Sequence, residues 1–101
     1  MSKDEAARDA TIPGAAGGRN VLDEAQWQTL AEKLQLSERQ LQIIQRMFDD
    51  SSEARIALDL GISEHTVHTH IERLYRKLGV SSRCELLVRV FGEFRHPSRD
   101  T

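Results

Sequence analysis

Four side chains with usable chemistry crowd into one short stretch: His65, His68, His70 and Glu72. His65 and His68 are spaced i, i+3, and His68 and Glu72 i, i+4, so on a helix they share a face. A metal ion would want three or four ligands, usually reinforced by cysteine or more distant histidine. The chain has a single cysteine, Cys84, and nothing else supplies the missing ligands. Catalysis by the Ser, His and Asp residues would want a nucleophile elbow or a phosphate loop beside them, and neither pattern occurs. We therefore expect no enzyme, no metal and no cofactor. What remains for a row of His, Thr, Glu and Arg is hydrogen bonding to a binding partner.

That row needs a helix to carry it, and capping signals supply one. Ser63 can cap a helix whose apolar stripe is Val67, Ile71, Leu74 and Leu78, and Gly79 ends it with Lys77 in the last turn. Facing the other way are His65, Thr69, Glu72, Arg73 and Arg76, with His68 at the flank. Ahead of it, Ser52 caps a short helix from Glu53 to Leu60, and Gly61 supplies a left-handed turn. A short helix, a Gly61-Ile62-Ser63 turn and a longer helix make a helix-turn-helix. Further upstream, Ser37 and Gln40 open a helix with the stripe Leu41, Ile44, Met47 and Phe48. Asp23 and Gln26 open another, with Trp27, Leu30, Ala31 and Leu34 on one face. A last capping box, Ser82 with Glu85, starts a helix through about Phe94. No alternating strand pattern appears, so the fold class is all-α.

The residues at these positions resemble the LuxR/GerE family of helix-turn-helix regulators. The resemblance is carried by Leu36-Ser37-Glu38-Arg39, Ile56-Ala57, Leu60-Gly61-Ile62-Ser63, Thr66-Val67-His68-Thr69-His70-Ile71, Lys77-Leu78-Gly79-Val80, and Ser82-Arg83 followed by Glu85. It runs without gaps from Leu36 to about Val90, about three-fifths of the chain. Sigma-factor region 4 shares the Gly-Ile-Ser turn but not the Thr-His or Lys-Leu-Gly-Val features. The resemblance implies a bacterial, sequence-specific regulator of transcription that binds double-stranded DNA with Ser63 to Leu78 in the major groove; where relatives often carry a fused sensor, a stand-alone DNA-binding domain is expected here. By the same resemblance His68, Thr69 and Glu72 read bases, joined on geometric grounds by His65. Thr66, His70 and Lys77 meet phosphates, with Arg73 and Arg76 added. It also implies a homodimer through the last helix, whose outer strip is Cys84, Val88 and Phe91, while Leu86, Leu87 and Val90 suit the core.

Domain bounds follow: a flexible tail over 1–20, an additional N-terminal helix over 21–35, the helix-turn-helix domain over 36–95 and a tail over 96–101. The residues before 36 are too few to bury a sensor core, so regulation has no visible seat here. No apolar run approaches a membrane span, the N-terminus has no signal-peptide core, and the lone Cys84 fits a reducing compartment. A cytoplasmic location is expected.

Several features depart from the family pattern. The pI is 6.1 and the net charge −2, whereas DNA-binding domains are typically basic. Residues 36–101 hold ten basic and ten acidic groups, so affinity must come from where the charge sits. His65, His68 and Ala54 stand where many relatives carry cations. Glu72 is useful in a groove only as an acceptor from an amino group such as cytosine N4. Leu58 points away from the core stripe of its helix. Either the helix of residues 23–35 folds back and covers it, or Trp27 and Leu58 are exposed for a partner protein. That second option, together with the neutral charge, Ala54 and Glu72, supports an alternative function, a helix-turn-helix scaffold repurposed for protein–protein contact.

Overall fold

The computed structural model describes residues 17–95, the last of these in its backbone only. A 3-10 turn, Gly18–Val21, precedes five helices: α1 Glu24–Leu34, α2 Glu38–Phe48, α3 Glu53–Leu60, α4 Glu64–Leu78 and α5 Arg83–Arg95. There is no strand among the described residues. Each of the first four helices starts where a short polar side chain can satisfy an orphan amide. Asp23 accepts from the Gln26 amide and Ser37 from the Gln40 amide, both as reciprocal capping boxes. Ser52 accepts from the Arg55 amide and Ser63 from the Thr66 amide. At α5 the box is rearranged. Ser82 Oγ accepts from the Glu85 amide, but the Glu85 carboxylate accepts from Ser81 N instead.

One core joins all five helices. Trp27, Leu30, Ile43, Ile44, Met47, Ile56, Val67, Ile71, Leu74, Leu86 and Val90 are all fully buried. Burial on α2 is wider than the expected stripe, since Ile43 and Gln45 are buried too. That helix lies under the 3-10 turn, α4 and α5 at once.

The N-terminal segment packs differently from either sequence expectation. Trp27 is 2% exposed, sits edge-on to Phe48 with ring centroids 5.1 Å apart, and donates its indole N–H to Arg19 O at 2.8 Å. It belongs to the core and forms no partner surface. Leu58 is 71% exposed, so α1 does not cover it; α1 instead packs on α5. Of the expected tail over 1–20, residues 1–16 lie outside the described residues, as does the tail over 96–101. Residues 17–20 are placed, and Arg19 pairs with Asp49 at 2.6 Å. Gly18 comes so close to the end of α2 that an added Cβ would stand 1.8 Å from Phe48 O.

Candidate nucleic-acid interface

The turn between α3 and α4 sets the angle of the candidate surface. Gly61 closes α3 in the left-handed conformation (φ 69°, ψ 34°), which glycine adopts at little cost. The Ile62 amide then bonds back to Ala57 O at 3.1 Å. Ser63 caps α4, and its hydroxyl also bonds the Thr66 hydroxyl at 2.9 Å. The Thr66 side chain is thereby committed to the cap. Val67, Ile71, Leu74 and Leu78 hold α4 down against the core.

The other face of α4 stands open. His65, His68, Glu72, Arg73 and Arg76 are exposed, while Thr66, Thr69 and His70 are half-buried. This surface brings together the four expected base-facing residues and the arginines beside them. The Arg73 and Arg76 side chains make no ion pair or hydrogen bond among the described residues, so their guanidinium donors remain available. Lys77 is engaged elsewhere. Its Nζ donates to Gln35 O, at the left-handed C-cap of α1, and lies 3.4 Å from Gln40 Oε1.

His68 is held on both ring nitrogens. Nδ1 lies 3.3 Å from Glu53 Oε1 on α3, and Nε2 lies 3.1 Å from Glu72 Oε2 one turn along α4. The hydrogen bond and charge of Glu53, with Glu72 adding to them, raise the His68 pKa above the ordinary 6.5. Beside them, burial pushes the Tyr75 phenol above its usual value; Arg83 opposes this and the two glutamates reinforce it. Glu53 was missed by sequence reasoning. Its partner is fifteen positions away, across a turn, and helical periodicity gives no signal for such a pair.

On α5 the strip expected at a dimer interface divides. Val88 is 67% exposed and Cys84 is exposed, whereas Phe91 is half-buried against the core. No group of three or more metal-ligating side chains forms among the described residues. None of these helices is long and apolar enough to cross a membrane.

Residues 34–90 match the family model for bacterial regulatory proteins of the luxR family. The chain belongs to that family. The matched segment takes in the end of α1, all of α2, α3 and α4, and most of α5. Among its relatives, the "Probable transcriptional regulatory protein NarL" of Mycobacterium tuberculosis H37Rv is 36% identical over 77 residues, covering 76% of this chain and 35% of the relative. The "Transcriptional regulatory protein UhpA" of Escherichia coli K12 is 39% identical over 56 residues, which is 55% of this chain and 29% of that protein. The "Probable HTH-type transcriptional regulator GfsR" of Streptomyces halstedii is 35% identical over 68 residues, 67% of this chain and 27% of its own length. The chain thus spans about a third or less of each relative. No solved structure matches it.

Proposed function

We propose that this luxR-family domain is a sequence-specific, double-stranded-DNA-binding regulator of transcription that lays α4 in the major groove. The observation that carries this reading is the open face of α4. Its opposite side is locked into the core, and its outer side gathers His65, His68, Thr69, Glu72, Arg73 and Arg76. A helix in the major groove reads base edges with the side chains of its N-terminal half, while cations flank the phosphates. The charge of the chain as a whole is secondary, because phosphate contacts are counted one cation at a time. Such a regulator works in the cytoplasm, where bacterial DNA lies. In the same reading two copies pair through α5, with exposed Val88 beside exposed Cys84 as the support.

The competing scaffold reading loses Trp27, which is buried, and keeps exposed Leu58 beside the neutral charge, Ala54 and Glu72. Fluorescence anisotropy on a labelled random-sequence duplex separates the two. Binding that weakens as salt rises, and that is blocked when guanine N7 atoms in the major groove of a selected site are methylated, supports the proposal. No duplex binding at about 50 mM salt, where phosphate contacts are strong, overturns it.

A further inference from the structure

Glu53 lies outside the helix that faces DNA, yet its carboxylate crosses from α3 to that helix. Its two oxygens are 3.3 and 3.4 Å from His68 Nδ1, and Glu72 Oε2 is 3.1 Å from His68 Nε2. Carboxylates only accept hydrogen bonds, so two of them on one imidazole call for two N–H donors, the protonated ring. Glu53 and Glu72 are the charged groups that act on His68. Glu64 and His65 lie about one turn before it on α4, and on the α5 side the Arg83 guanidinium is turned to Ser51 O at 2.7 Å. With both N–H groups taken, His68 has no donor left for a base. What this corner offers outward is the carboxylate of Glu72, 57% exposed and with its second oxygen unused.

In the major groove an acceptor pairs with an exocyclic amino group, cytosine N4 or adenine N6, and is repelled by guanine O6 and N7 and by thymine O4. We propose that Glu53 is a specificity-determining positioning residue: by fixing His68 between itself and Glu72, it aims the free Glu72 oxygen at an amino-bearing base at one position of the DNA site. The inference rests on α4 being the recognition helix. Without Glu53 the ring regains a free N–H and can turn to guanine N7 or to a phosphate. Glu72 then loses the brace that holds it.

The test is selection of bound sequences from a randomised duplex library by the parent, Glu53→Gln, His68→Gln and Glu72→Gln. Random-duplex affinity and thermal melting are measured beside it. The parent should prefer an amino-bearing base at one position by roughly 5- to 150-fold, the discrimination of one good contact. Glu53→Gln and His68→Gln should both reduce that preference to within about twofold at that position; random-duplex affinity should be kept or raised in Glu53→Gln, where a carboxylate has gone, and should fall in His68→Gln, where a cation has. Glu72→Gln should move the preference to adenine, which glutamine pairs bidentately. In the parent the preference should also fade as pH rises through the His68 titration, and Glu53→Gln should lack that dependence. A Glu53→Gln protein that melts like the parent and keeps the parental preference overturns the inference while leaving the recognition helix intact. A parent that binds no duplex removes both.

Discussion

Replacing Arg73 and Arg76 together by alanine changes the proposed DNA-binding side of α4 while sparing the core. Both guanidinium groups are exposed and neither is paired among the described residues, so folding stability should move by no more than about 0.5 kcal/mol. Their effect on binding can be worked out from counterion release. Each phosphate neutralised contributes a slope of about 0.9 in log affinity against log salt, so two arginines on two phosphates contribute about 1.8. Between about 50 and 200 mM salt, a fourfold change, the parent should therefore lose about 12-fold more affinity than the double variant. Measured by anisotropy on one duplex, the advantage of the parent should shrink by that factor across the range. The sign is distinctive, because removing a hydrogen bond to a base would weaken binding equally at both salts. If the parent-to-variant ratio stays constant within about twofold, the arginines do not meet phosphates. A ratio that also stays near one at both salts would mean that the arginines meet no DNA, and the α4 face would then have to be abandoned as the DNA surface.

Three further outcomes follow from the same geometry. Binding should weaken as pH rises from about 6 to 8: His68 is a cation below its raised pKa and loses that charge as pH climbs through it. The loss should therefore centre above 6.5, and equal affinity at both ends would contradict it. Trp27→Ala removes a buried ring, its edge contact with Phe48 and the bond to Arg19 O, and should cost about 3–5 kcal/mol in urea unfolding followed by circular dichroism. Against a typical stability of about 5–15 kcal/mol, that loss should lower the urea midpoint substantially. Gly18→Ala and Gly92→Ala should move the melting temperature in opposite directions. The first meets Phe48 O at 1.8 Å and should lose about 1–3 kcal/mol. The second, in α5 with nothing within 4 Å, should gain about 0.5–1 kcal/mol from helix propensity.

Helix starts and stops were readable because the signals that make them are local. A cap and its amide lie three residues apart, and Gly61 and Gly79 announce the left-handed ends of α3 and α4. The inward stripe of α4 was readable for the same reason, since it is a period of one helix. What could not be read were relations between elements. Nothing within α3 tells whether Leu58 is covered, and nothing between Glu53 and His68 marks them as partners. Gly17-Gly18 reads as a tail by composition, yet Gly18 is there because a backbone passes against α2. Lys77 likewise fits the helix dipole on its own helix, while its amine reaches the cap of α1.

The lock around Trp27 also bears on where this protein can be cut and joined. The family match begins at residue 34, but Trp27 and Leu30 lie before that point and in the same core as Ile44 and Leu86. The segment covered by the family model is therefore smaller than the unit that holds together physically. A chimera spliced at the family boundary would leave Phe48 without the ring that packs on it and Asp49 without its arginine. A splice made ahead of Gly17 would carry the whole lock along. Exchange of this piece between proteins should thus succeed or fail by a border some seventeen residues upstream of the one that the family model draws.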